Sequence, residues 1–349
     1  MRLPHPFAYR VKLLKQQLNI EKNDIIPIRY PITPPWKLPN VEYCKCLNIA
    51  KRDLNDMKIR STFLEHKSQH KDAVPVFTDG SKSHAGVGFG VHFPDFNRRG
   101  RLPDSASVFT AELHGILRAL REIVLISKKS FVIYCDSLSV LDSLKIFNPT
   151  NLLVLDILEW LLITRNRGKN VSFCWVPAHV DIYGNEVADK LAKSAALELS
   201  PVVRPLPYRD LFPSIRASVN GVWQEHWNGI DANKMREISG FINPWKYLSM
   251  PRHWEVVLCR LRIGHTRLTH GFLMAGERPR YCDDCLVPLT VKHLLIECPS
   301  LEDIRRQYLS ESRDESGLYQ LSRVLGEDVG FSESGVFKFV EEAGLLHQM

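Results

Sequence analysis

Apolar and polar positions change rhythm several times along the chain. Residues 1–72 read as a feeder segment, in which "IPIRYPITPPWKLP" (Ile26–Pro39) is Pro-rich, extended and not expected to build a core. From Val74 the rhythm becomes β-like. "AVPVFTDGS" and "AGVGFGVHF" are short β-rich runs parted by a polar turn and predict a hairpin. Leu113, Ile116, Leu117, Leu120 and Val124 then recur at helical spacing. "SFVIYCDS" predicts a buried strand, "SLSVLDSLKIF" a short helix, "LLVLDILEWLLITRNRGK" a longer one and "NVSFCWVP" a further strand. The last helix of the series spans 183–199, with Val187, Leu191 and Ala195 on one stripe. This order of elements predicts an α/β fold, a mixed sheet covered by helices. A Pro-rich joint follows ("SPVVRPLPYRDLFP", Ser200–Pro213), then a Trp- and Arg-rich region and a polar stretch from about Leu309.

The 349 residues are enough for two compact units. A formal net charge of +7, set against 39 acidic residues, leans toward a polyanionic partner. The best apolar run, Leu152–Ile163, is short and carries Asp156 and Glu159, so no membrane partner is expected. "MRLPHPFAYR" lacks the apolar core of a secretory signal, which points to an intracellular protein of nucleus or cytoplasm, not a secreted one. The eight cysteines, Cys44, Cys46, Cys135, Cys174, Cys259, Cys282, Cys285 and Cys298, are then expected as buried or metal-bound thiols, not disulfides.

Four carboxylates fall at element ends. Asp79 closes the first strand before a Gly-Ser turn, Glu112 starts a helix, Asp136 closes a strand before Ser137, and Asp189 sits inside the 183–199 helix. Singly, each has a plain structural reading as turn or cap chemistry. Jointly, "FTDGS", "TAEL", "YCDS" and "WVPAHVDIYGNEVADKLA" resemble the ribonuclease H type 1 family in motif and in order, over about residues 73–199.

The resemblance implies a mixed five-stranded sheet flanked by helices. It also implies two magnesium ions, with manganese able to substitute, held by Asp79, Glu112, Asp136 and Asp189, and a loop histidine, His179, that assists turnover. The chemistry is consistent with the residue types. In-line hydrolysis of a phosphodiester uses one cation at the attacking water and one at the leaving oxygen, about 4 Å apart. Magnesium takes hard oxygen ligands, and clustered carboxylates repel without cations. Two features depart from the family. Val108 stands where cellular members carry an Asn that touches the RNA sugar, and the basic protrusion has no clear counterpart. Arg98, Arg99 and Arg101 are read as a small basic loop in its place, with Ser81, Lys82 and Ser137 as further candidate nucleic-acid contacts.

Farther on, Cys282-x2-Cys285-x7-His293-x4-Cys298 supplies three thiolates and an imidazole, a closed tetrahedral set for structural zinc. The middle gap exceeds that of retroviral knuckles. With "RLRIGHTRLTHG" and "VKHLLIECPS" it resembles the C-terminal segment of non-LTR retrotransposon polyproteins of the Jockey and I-element type. "YCDD" (Tyr281–Asp284) also spells a polymerase signature. It lies in a polar loop across a Cys-x-x-Cys, so no polymerase is expected in this chain. Between Arg252 and Arg280 six Arg face two Glu, with Trp254, His265 and His270 interspersed, a composition suited to phosphates and bases.

The expected organisation is a feeder at 1–72, a ribonuclease H-like domain at 73–199, a linker with helical segment at 200–250, a small helical zinc-binding basic region at 251–308 and a polar tail at 309–349. The expected activity is hydrolysis of the RNA strand of RNA–DNA hybrids by a monomer, leaving a 3′-hydroxyl and a 5′-phosphate. The alternatives are a non-catalytic nucleic-acid-binding remnant of a retroelement, or an integrase-like nuclease acting on DNA.

Overall fold

The computed structural model describes residues 6–21, 24–27, 32–45, 56–201, 205–230, 233–246, 249–327 and 333–348. Parts of both Pro-rich stretches (28–31 and 202–204) and Cys46 lie outside them. The chain divides into two compact units, Met1–Ala217 and Ser218–Met349.

In the first unit the elements run α1 (Phe7–Gln17), β1 (Tyr43–Cys44), α2 (Asp56–Gln69), β2 (Val74–Ser83), β3 (Gly86–His92), β4 (Asn97–Leu102), α3 (Val108–Leu125), β5 (Ser130–Cys135), α4 (Leu138–Ser143), α5 (Leu152–Asn166), β6 (Asn170–Trp175) and α6 (Tyr183–Ala196). They build a mixed sheet in the order β1-β6-β5-β2-β3-β4. β2, β3 and β4 are antiparallel neighbours, while β5 runs parallel to both β2 and β6. The sheet thus has six strands, not five, because the two-residue β1 adds in parallel to β6.

Successive strand residues face opposite sides. Val76, Ile133 and Phe173 pack beneath α3 and α5, against Leu113, Ile116, Leu120, Ile157 and Leu161. Phe77, Val132, Tyr134 and Cys174 pack on the other side with Ile59 and Phe63 of α2 and Ala188 of α6. Each fully buried Leu, Ile or Phe contributes about 1.5–3 kcal/mol. α3 starts where the Ser107 side chain accepts from the Thr110 N–H at 3.1 Å.

Two expectations about this unit change. The stretch up to 72 is not without a core role: Ile59, Phe63 and His66 share one face of α2 and are buried. Arg98, Arg99 and Arg101, expected in a basic loop, lie instead on the edge strand β4: Gly100 and Leu102 are buried, Arg98 shares their face and reaches Glu122 of α3, and Arg99 and Arg101 lie on the opposite face. Charged side chains are what an unpaired edge carries to resist further pairing.

α6 lies unusually close to the sheet. Its buried residues are Gly184, Asn185, Ala188, Ala192, Ala195 and Ala196; of the expected stripe Ala195 is buried, while Val187 and Leu191 are half-buried. Opposite stand Gly88 and Gly90, where an added Cβ would lie 2.5 Å from the Ala192 carbonyl and 2.2 Å from that of Ala188. Small residues on both sides let helix and strand backbones meet.

α7 (Phe212–Asn228) carries the chain into the second unit. There α8 (Lys234–Ile238), α9 (Arg252–Ile263), α10 (Arg267–Ala275), a π-helical turn (His293–Glu297), α11 (Glu302–Tyr308), α12 (Leu321–Leu325) and α13 (Glu333–Glu342) follow. α9 stops at Gly264 in the left-handed region (φ 74°), and Thr266 with Thr269 forms a capping box at the start of α10. The core joins Leu258, Leu261, Leu294 and Leu295 to Val324, Leu325, Val336, Phe339 and Val340. The stretch after 309, expected as a polar tail, therefore supplies part of this core. Among the described residues, no helix is long and apolar enough to cross a membrane.

Candidate functional site

Three neighbouring elements deliver the carboxylates. Asp79 lies mid-way along the central β2, paired with Gly90 of β3. Asp136 follows the last residue of β5, beside β2, and Glu112 sits in the first turns of α3. Gly80 brings α3 close: a Cβ there would lie 2.5 Å from the Glu112 nitrogen, and the Gly80 N–H bonds to the Glu112 carboxylate. Asp189, on the opposing α6, completes the set of four.

Glu112, Cys135 and Asp136 offer ligand atoms within 4.8 Å of one another, and so do His179, Glu186 and Asp189. Asp79 is within electrostatic reach of Glu112, Asp136 and Asp189. Burial, then the charges of Asp136 and Asp189, pushes the Asp79 carboxyl up to about 7. Burial, then Asp136 and Asp79, holds the Glu112 proton well above the usual range. Asp136 is raised by burial and partly relieved by Asn185.

The surroundings hold these groups in place. Asn185 Nδ2 lies 3.3 Å from Asp136 Oδ2, and Trp175 Nε1 donates to the Asp136 carbonyl at 2.9 Å. Lys193, one turn beyond Asp189, pairs with it at 2.7 Å. His179 sits in an exposed turn with φ 56°, and Arg60 of α2 pairs with Asp181 of the same turn at 2.7 Å. Asn185, Glu186 and Lys193 were not singled out from the sequence, although all lie in the "YGNEVADKLAK" block. Their spacing of three or four residues from Asp189 is the signal that marks them.

A cation fits this donor set. Asp79 Oδ2 is buried and has no hydrogen-bond partner among the described residues, which is costly for a carboxylate unless something positive faces it. The donors are hard oxygens, as magnesium prefers. Lys193 already supplies a positive charge on Asp189.

The expected nucleic-acid contacts fare differently. Arg98 pairs with Glu122 at 3.0 Å, and Arg99 with Glu198 at 2.9 Å. Arg101 pairs with Asp104 at 2.6 Å and donates to the carbonyls of Ala85, Ala196 and Glu198. Lys82 donates to the Ala106 and Asp104 carbonyls. The basic cluster is thus bound into the fold. Ser81 lies on β2 opposite Gly88, and Ser137, at the start of α4, is 3.2 Å from the Ser139 hydroxyl. Val108 opens α3 and is exposed.

In the second unit, Cys282, Cys285, His293 and Cys298 bring their ligand atoms within 4.8 Å of one another. Sulfur–sulfur distances of 4.0 Å (Cys282–Cys298) and 3.8 Å (Cys285–Cys298) match the roughly 3.8 Å edge of a tetrahedron with Zn–S bonds of about 2.3 Å. His293 Nε2 is buried without a partner among the described residues. A tight turn presents the first two sulfurs: Cys282 N–H donates to Val287, Leu286 N–H donates back to Cys282, and Leu286 adopts φ 57°. The N–H of Cys285, followed by His293, lowers the Cys282 thiol to about 7. Asp283 and Asp284 are exposed in this turn, outside any extended strand. Arg305, 2% exposed, fixes the far end by donating to the carbonyls of Leu295 and Cys298, both at 2.8 Å. Trp254, expected at a nucleic-acid surface, stacks on Phe337 in the core, whereas Arg267, Arg278 and Arg280 are exposed.

Residues 71–197 match the family described as RNase H. The match supports an RNase H domain over those residues, and the mixed sheet flanked by helices is consistent with that fold. No curated protein matches the chain. A domain of this family supports ribonuclease activity on RNA–DNA hybrids and implies a nucleic-acid substrate.

Proposed function

We propose that this chain hydrolyses the RNA strand of RNA–DNA hybrids with two magnesium ions held by Asp79, Glu112, Asp136 and Asp189. The observation that carries the reading is the buried, partnerless Asp79 Oδ2 among carboxylates whose protons are held abnormally tightly. Magnesium bound there would supply Lewis acidity at the leaving oxygen and a more acidic attacking water. The protein's own part is positional. β2, β5 and α3 present three carboxylates from rigid elements, Asn185 keeps Asp136 oriented, and Lys193 balances Asp189. His179, at the exposed rim beside Glu186 and Asp189, can pass a proton between its imidazole nitrogen and solvent.

The catalytic domain is taken as 73–199 and the basic, cysteine-bearing region as 251–308, with structural zinc on Cys282, Cys285, His293 and Cys298. Exposed Arg267, Arg278 and Arg280 give that region a surface for phosphates. An RNase H domain followed by this Cys/His spacing supports derivation from a non-LTR retrotransposon polyprotein. One observation favours the non-catalytic alternative: Arg98, Arg99 and Arg101 are already paired with Glu122, Glu198 and Asp104 of the same unit, which weakens their draw on a hybrid.

The test is cleavage of a labelled RNA–DNA hybrid in magnesium, beside single-stranded RNA, DNA duplex and Asp136→Asn protein. Hybrid-specific RNA cleavage that vanishes in Asp136→Asn is expected. Binding without cleavage by folded protein would favour the remnant, and preference for DNA duplex would favour an integrase-like enzyme.

A further inference from the structure

Cys44, His66 and Cys174 are distant in sequence and belong to three elements of the first unit. Cys44 ends β1, and Cys174 is its register partner on β6. His66 lies on α2, on the face that also buries Ile59 and Phe63. One ligand atom from each residue lies within 4.8 Å of the other two. His66 and Cys174 are buried and Cys44 is half-buried. His66 Nδ1 is 3.2 Å from the buried Tyr134 hydroxyl, so a cation held by this ring would take its other nitrogen. Such an outer partner on the second nitrogen orients metal-bound imidazoles. Tyr134 is in turn the register partner of Cys174 on β5, so the group has a rigid floor.

We propose that Cys44, His66 and Cys174 form a further metal site, binding zinc through two thiolates and one imidazole and fastening β1 and α2 to the sheet edge. Two soft sulfurs and an imidazole suit zinc and exclude magnesium. Three protein ligands leave the fourth tetrahedral position for water. The architecture gives such a clip a task. Among the described residues β1 has two residues and pairs with β6, far too little ladder to hold an edge strand by itself. The site also sits one residue from Trp175, whose indole donates to the Asp136 carbonyl. Zinc would therefore steady the strand end that carries a candidate catalytic carboxylate.

The experiment uses the full chain with Cys282→Ser and Cys285→Ser, which disables the downstream cysteine cluster. Reduced, metal-free protein is titrated with cobalt(II) and followed by absorbance. The expected result is one equivalent of cobalt with a thiolate-to-cobalt charge-transfer band. Zinc should displace it, and adding Cys44→Ser or Cys174→Ser should abolish it. The unaltered chain provides a second readout: thiol-bound zinc, released by a mercurial reagent, should fall by one equivalent in Cys44→Ser. Absence of the band in folded protein would overturn the proposal. So would a band indifferent to both substitutions, or a Cys44–Cys174 disulfide that persists in the presence of reductant and keeps the thiols from metal.

Discussion

Asp79, Glu112, Asp136 and Asp189 are carried by elements whose apolar faces are buried against a shared sheet. Cys282, Cys285, His293 and Cys298 occupy a turn and a single π-helical turn, anchored by Leu294, Leu295 and the buried Arg305. In the first unit the carboxylates hang on elements packed by their own apolar faces, and their mutual repulsion opposes that packing. In the second the ligands are themselves part of the scaffold, so a metal there would be a structural member. The same kind of grouping thus has opposite consequences for stability: removing a ligand relieves repulsion in one unit and removes a tie in the other.

The sharpest break of that comparison is Asp136→Asn. Loss of about 4 kcal/mol of charge stabilisation corresponds to a roughly thousandfold slower hybrid cleavage, with a melting temperature unchanged or higher. A fall in melting temperature would mean that the carboxylates support the fold. Next in size is removal of zinc. A thiol-competitive chelator, or Cys285→Ser, is expected to abolish the cooperative unfolding of the second unit while the sheet unit still melts cooperatively, as calorimetry would show. Loss of neither transition would detach the cysteine cluster from metal altogether.

The pH dependence of the first unit is a smaller effect with a definite sign. Asp79 in the folded chain holds its proton up to about 7, against an ordinary 3.8, so the unfolded chain ionises first. Without divalent cations, stability is greatest in acid and falls as pH rises through that window, by about 1.4 kcal/mol per unit at most. Urea unfolding in chelator should show the fall, and magnesium or Asp79→Asn should flatten it. Asn185→Ala, which removes the 3.3 Å bond to Asp136, should slow cleavage about 10–100-fold at little cost in stability. Smallest of all is Arg99→Ala. Its pair with Glu198 is largely exposed and is worth about 0–1 kcal/mol, so neither melting nor hybrid binding should change appreciably.

The hairpin, the buried strands β5 and β6 and the helices α3 to α6 could be read directly, because their periods of two or 3.6 residues reflect burial on one face or two. β4 could not. In "NRRGRL" the three arginines outnumber the buried Gly100 and Leu102, and a strand whose charges are absorbed by ion pairs and carbonyls of neighbouring elements has the composition of a loop. α2 was hidden by its polar majority, although Ile59, Phe63 and His66 keep helical spacing. The stripe on α6 was met only at Ala195, because close backbone packing favours alanine over the larger Val187 and Leu191, which are half-buried. The two ligand sets announced themselves through residue type and order. The Cys44, His66 and Cys174 group did not, since no local spacing links residues that only the sheet edge brings together.

Gly90 pairs directly with Asp79 across β2 and β3 and faces the Ala188 carbonyl, one residue from Asp189. A single methyl group there would lift α6 and carry Asp189 away from its partners. The spacing of the carboxylates is therefore governed by a buried seam of small residues set between α6 and the sheet. Inherited change along that seam is a route by which such a nuclease could lose or regain speed while every residue of its reacting surface stays the same.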